Sequence, residues 1–216
     1  MKICVITYNI PHKKTQDVLF RLRALGYNDV ECVAFPFIKR KKFTPLVQHR
    51  VTDLIDVHPR LLCHELGYEY TEAVDFRLYD KILIGGANIL SKDTIGEYEI
   101  INSHPGYLPY VRGLDSLKWA ILKGFPIGVT THVINEGIDE GEVIEQRFIK
   151  VDYFDTIHSL GQKTYALEVE MLVDAITNPN RTVLEGDMGY NPPPNRRMPH
   201  RLEVKMLDKL KLLQIG

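Results

Sequence analysis

Apolar positions in the first half of the chain fall into short continuous runs, separated by stretches that repeat at helical spacing. Residues 2–8 (KICVITY) make a strand-length run, and Val18, Leu19, Leu22 and Leu25 then predict a helix over 17–25 that Gly26 stops. Residues 29–37 (DVECVAFPF) read as a second strand ended by Pro36. Val47, Val51, Leu54 and Ile55 fit one helix face that Pro59 interrupts, and 61–67 reads as a short helix. Residues 80–85 (DKILIG) form a buried strand, 94–98 at most a single helical turn, and 99–102 another strand. A helix follows to Lys123, with Asp115 as its expected cap and Gly124 as its stop. Strands are expected over 127–134 and 143–151, and the longest helix over 155–178, where Ile157, Leu160, Tyr165, Leu167, Met171, Leu172 and Ile176 supply an apolar face.

The segment 186–201 is rich in Pro, Gly and Arg and predicts an extended arm, followed by a short helix over 205–213. This alternation implies an α/β fold: a mostly parallel, twisted sheet flanked by helices, with ligands outside the carboxyl ends of its strands. One main core is expected, with a catalytic domain over 1–185 and a C-terminal extension over 186–216.

Charge and composition narrow the classes. With 27 basic and 28 acidic residues, the chain has no global field to draw it to nucleic acid or a membrane surface. No apolar stretch nears the ~20 residues that span a bilayer, and the first apolar run is too short for a signal peptide. Cys4, Cys32 and Cys63 are odd in number, far apart and free of CxxC spacing, which points to a reducing, cytoplasmic setting. The basic run 39–42 reads as a solvated loop, with phosphate binding as its alternative.

Chemistry-bearing residues concentrate between Ile101 and Gln146. Asn102 and His104 sit at a strand end before Pro105, and His132 and Asp139 flank a turn containing Gly137 and Gly141. Singly, each has an ordinary explanation: His104 as a turn or cap residue, Asn102 as a turn residue, Asp139 as an exposed turn carboxylate, His132 as a satisfied core histidine. Together they offer an amide, imidazoles and a carboxylate, groups that stabilise an oxyanion and move protons in acyl transfer. No serine or cysteine lies in a GxSxG elbow, which favours direct transfer to an amine over a covalent intermediate.

The series Asn102-x-His104-Pro105, Leu108-Pro109, Arg112-Gly113, His132 and Asp139-x-Gly141 resembles the 10-formyltetrahydrofolate-dependent formyltransferases, over roughly residues 80–146. The resemblance implies a Rossmann-like fold, Asn102, His104 and Asp139 as catalytic residues, and His132 in support. It also implies a pterin pocket lined by Gly85, Gly86, Ala87, Asn88, Ile89 and Leu90 and wrapped by a loop with Glu136, Gly137, Ile138 and Gly141. The donor would be 10-formyltetrahydrofolate, the acceptor a primary amine, and no metal would take part.

Three branches of that family differ in acceptor. The purine-pathway branch carries a GxGSN-type phosphate turn after the first strand, whereas residues 7–16 here (TYNIPHKKTQ) hold Pro11 and no glycine. The methionyl-tRNA branch carries a further C-terminal domain; this chain ends seventy residues after Gln146 and shows no broad basic face. The segment 104–121 is more similar to the nucleotide-sugar branch. That implies a nucleotide-linked amino sugar as acceptor, met by Tyr107, Tyr110, Arg112 and Trp119, with Lys13, Lys14 and Arg196 as candidates for its diphosphate. A glycinamide ribonucleotide enzyme is the alternative, as is a formyltetrahydrofolate hydrolase or folate-binding protein, although the hydrolase branch usually has an N-terminal regulatory domain for which a start at Met1 leaves no room. The arm with three consecutive prolines would pack on its own domain or on a second subunit of a homodimer.

Overall fold

The computed structural model describes residues 1–39, 43–182 and 192–214. Its strands are β1 (Ile3–Tyr8), β2 (Val30–Phe35), β3 (Glu69–Thr71), β4 (Lys81–Ile84), β5 (Ile100–His104), β6 (Gly128–Val133) and β7 (Val143–Phe148). They form a seven-stranded sheet in the order β3-β2-β1-β4-β5-β6-β7. The registered pairs from β3 across to β5 are parallel, and β6 and β7 pair antiparallel. The helices are α1 (Lys13–Ala24), α2 (Pro59–Leu66), α3 (Lys92–Ile95), α4 (Ser116–Lys123), α5 (Ile157–Asp174) and α6 (His200–Leu213). The expected α/β class and mostly parallel sheet are therefore present. No described helix is long and apolar enough to cross a membrane.

The chain clusters into two compact units. The first comprises Met1–Arg40, Thr52–Asn102 and Val169–Asn178. Its β1 and β4 are buried, as continuous apolar runs in a helix-covered sheet must be, and Val18, Leu19 and Leu22 of α1 are fully buried as well. Strand order reverses between β1 and β4, the kind of switch point where open parallel sheets hold ligands. Helix α1 starts four residues before the expected 17, because Thr15 and Gln16 are buried through hydrogen bonds rather than apolar contact. Thr15 Oγ1 lies 2.8 Å from Thr7 Oγ1, and Gln16 exchanges bonds with the Ile55 backbone.

The second unit comprises Lys41–Val51, Ser103–Glu168 and Pro179–Gly216. Its core joins Leu117, Ala120 and Ile121 of α4 to Ile157 and Leu160 of α5 and to Met206 and Leu210 of α6. Within it Lys118 and Glu203 form an ion pair with no solvent exposure on either side chain. Lys118 Nζ also donates to Val47 O at 2.6 Å, and Glu203 Oε2 accepts from Leu46 N at 2.7 Å. These bonds hold residues 43–51 in non-helical form, so the helix face expected from Val47, Val51, Leu54 and Ile55 does not form.

Gly124 stops α4 in the left-handed conformation as expected, but Asp115 makes no side-chain cap bond. Its buried carboxylate instead accepts from Arg197 Nη1 at 2.9 Å and Met198 N at 3.0 Å. Nearby, burial and the adjacent Lys118 hold the His49 imidazole neutral, its pKa lowered to about 3. His12 in the first unit is likewise lowered to about 4, by burial and then Lys14. An unfolded histidine titrates near 6.5, so the unfolded state binds more protons below that value. Stability should be full above pH 6.5 and fall as pH drops toward 4, by at most about 1.4 kcal/mol per pH unit for each group before solvent screening. Urea midpoints at pH 7.5 and 5 check this, with a shallower drop expected for His49→Gln.

Candidate active site

Strand β5 delivers His104 to the carboxyl edge of the sheet, 5% exposed, and Asn102 precedes it by two residues on the same strand face. The loop after β5 is pinned by one buried hydroxyl. Thr130 Oγ1 of β6 donates to Gly106 O at 2.9 Å and accepts from Leu108 N at 3.1 Å. Gln146 Nε2 of β7 donates to both Leu108 O and Thr130 Oγ1. A rigid strand end and a fastened loop therefore fix the imidazole.

The hydrogen bonds of His104 restrict where its protons sit. Nε2 lies 2.9 Å from Val111 O, which can only accept, so this nitrogen carries a hydrogen. Ser116 Oγ is 3.2 Å from the same nitrogen and donates to Gly113 O at 3.0 Å. On the other side of the ring, Nδ1 faces Asp139 Oδ2 at 3.4 Å.

Asp139 is held in an uncommon backbone state, with φ of 55°. Oδ2 accepts from Gly113 N at 2.8 Å, and Oδ1 lies 3.8 Å from His132 Nε2. Gly113 itself has φ of 83°, and a side chain there would run into the Asn195 backbone of the C-terminal arm. The Asp139 loop closes tightly as well: Gly137 N donates to Asn135 Oδ1 at 2.9 Å, and a Cβ on Gly141 would overlap the Val133 carbonyl. His132, 1% exposed, is thus both a core residue and a neighbour of the carboxylate.

The structure brings His104, His132 and Asp139 together. The residues expected to meet an acceptor have partners within the protein. Arg112 has a guanidinium 4% exposed that bonds to Ile138 O, Glu140 and Pro192 O, because the 138–140 loop and the arm close over it. Trp119 donates Nε1–H to Arg196 O at 2.8 Å, with Lys123 over its ring. Tyr107 stacks between Phe148, at 4.3 Å between centroids, and Tyr110. Lys13 is paired with Asp17 at 2.8 Å, and Lys14 also has interactions of its own. Of the basic run 39–42, residues 40–42 lie outside the described residues.

In the first unit, Gly85 and Gly86 follow β4 in buried positions. A Cβ on Gly86 would overlap the His12 ring, and Ala87 O accepts from Tyr8 OH. Asn88 Nδ2 donates to Pro36 O at 3.3 Å, and Ile89 is 75% exposed. Sequence reasoning missed Ser116 and the Val111 and Gly113 backbone groups, whose contacts with His104 and Asp139 depend on loop geometry that carries no local sequence signal.

Residues 79–176 match the family model described as formyl transferase. Phosphoribosylglycinamide formyltransferase of Bacillus subtilis is 30% identical over 116 residues, which is 51% of this chain and 60% of that protein. A methionyl-tRNA formyltransferase of Ehrlichia ruminantium is 40% identical over 86 residues, 39% of this chain and 28% of its own length. The chain thus spans less than two thirds of these relatives. The crystal structure of the formyltransferase PseJ from Anoxybacillus kamchatkensis, in complex with UDP-4,6-dideoxy-4-formamido-L-AltNAc and tetrahydrofolate, shares the fold. Its TM-score is 0.52 at 20% identity, with 80% of this chain and 73% of that one covered.

Proposed function

We propose that this chain, whose residues 79–176 match the formyl transferase family model, moves a formyl group from 10-formyltetrahydrofolate to a primary amine, and that the amine belongs to a nucleotide-linked amino sugar. The observation that carries the proposal is the His104–Asp139 pair, closed at 3.4 Å and fixed by Gly113 N. Such a pair serves a reaction in which an attacking amine must lose a proton as a carbonyl oxygen gains charge.

The amine nitrogen attacks the formyl carbon, and the C=O electron pair moves onto oxygen. Asn102 donates to that oxyanion, and His104 stabilises it. Asp139 takes the proton released by the amine nitrogen. As the tetrahedral centre collapses, the bond from carbon to N10 breaks and N10 receives a proton through the same pair. The formamide and tetrahydrofolate leave with every proton accounted for. Ile138, 41% exposed on the 135–141 loop, presents an apolar face suited to a flat pterin ring.

One feature favours the sugar acceptor. The turn after β1 holds Pro11 and no glycine, so it lacks the backbone turn with which the purine branch grips phosphate. Mass spectrometry of dTDP- and UDP-linked 3-amino and 4-amino sugars, set beside glycinamide ribonucleotide, tests this. A gain of one formyl group on an amino-sugar nucleotide is expected. A gain on glycinamide ribonucleotide alone would reassign the acceptor.

A further inference from the structure

We propose that Arg112 is a positioning residue for Asp139, and that the C-terminal arm is the anchor against which it works. The proposal rests on the assignment of Asp139 as the group that accepts the amine proton. Arg112 Nε and Nη2 both donate to Ile138 O, at 2.9 and 2.6 Å. That carbonyl belongs to the residue immediately before Asp139, whose left-handed backbone persists only where its surroundings over-determine it. Nη2 also pairs with Glu140, the residue immediately after. One planar guanidinium therefore grips the chain on both sides of the carboxylate.

The other end of the clamp lies in the arm. Arg112 Nη1 donates to Pro192 O at 3.2 Å. The Arg112 carbonyl accepts from Asn195 N and from Asn195 Nδ2, both at 2.9 Å, and Leu114 N donates to Asn195 O at 2.9 Å. Gly113, between them, supplies the N–H that meets Asp139 Oδ2. Two routes thus run from the arm to the carboxylate, one through the Arg112 side chain and one through the Gly113 backbone. A guanidinium 4% exposed and directed at backbone carbonyls is built to set geometry, not to meet an anion arriving from solvent.

Steady-state kinetics of Arg112→Lys and Glu140→Gln, together with hydrogen–deuterium exchange over residues 135–141, test the clamp. Lysine keeps the charge but cannot grip Ile138 O twice while holding Glu140, so kcat should fall about 100-fold, the scale of a catalytic group displaced by about 1 Å. KM for donor and acceptor should stay within about twofold. Glu140→Gln removes one partner and should lower kcat several-fold, and in both variants the 135–141 loop should exchange faster than in the unaltered protein. A raised acceptor KM at unchanged kcat would make Arg112 a substrate contact and overturn the proposal, as would full kcat in either folded variant. Thermal melting identifies a variant that does not fold, in which case Glu140→Gln decides. Should the unaltered protein transfer no formyl group, the functional reading fails, and unchanged loop exchange in Arg112→Lys would separately overturn the clamp.

Discussion

Asp139→Asn is expected to lower kcat for formyl transfer by about 10³-fold while leaving the thermal melting temperature within a few degrees of the parent. The size follows from the 10²–10⁴-fold that a positioned proton-transfer group contributes. The intact fold follows from the choice of asparagine. It tolerates the positive φ of 55° at this position, and its amide oxygen can still accept from Gly113 N. What disappears is the ability to take the amine proton and the carboxylate charge that faces His104 Nδ1 at 3.4 Å. KM for the donor should change little, because the substitution preserves the shape of the loop. A variant that turned over at near the parental rate would remove Asp139 from the chemistry.

The second large effect concerns stability. Lys118→Met should destabilise the protein by about 3–5 kcal/mol in chemical denaturation, because it strands the fully buried Glu203 carboxylate without its cation. The same change also leaves Val47 O without the Lys118 donor. Replacing both members, as in Lys118→Met with Glu203→Leu, should recover part of the loss but not all of it, since Leu46 N then loses its acceptor too. A loss under about 1 kcal/mol for the single change would mean that water reaches the pair in solution.

Where structure is settled locally, the chain can be read from its pattern. β1 and β4 are apolar runs buried on both faces, α4 has apolar spacing with Gly124 at its end, and each forms near where its pattern places it. His104 and Asp139 were visible for a similar reason: one precedes a proline, the other lies between glycines, and few other causes concentrate such groups there. Distant partners explain the misreadings. Asp115 looks like a helix cap but is claimed by Arg197 and Met198, more than eighty positions away. The helical spacing of Val47 and Val51 is overridden by backbone bonds to Lys118 and Glu203. Arg112 carries the charge of an anion contact, and its burial against Ile138 and Pro192 could not be read from the pattern. Strand β3 is three residues long with no buried position, so it left no apolar signature at all.

The acceptor question and the chemistry separate cleanly. The pair His104–Asp139 and its supports lie within one compact unit, and they suit attack by any primary amine. Water at the same centre would yield formate, which is the hydrolase outcome. The most direct measurement supplies 10-formyltetrahydrofolate labelled with carbon-13 in the formyl group, with and without an amino-sugar nucleotide, and follows the label by NMR. Transfer predicts label in an N-formyl resonance of the sugar, no release without the amine, and loss of the signal in Asp139→Asn. Label appearing as formate at the same rate whether or not the amine is present would contradict it.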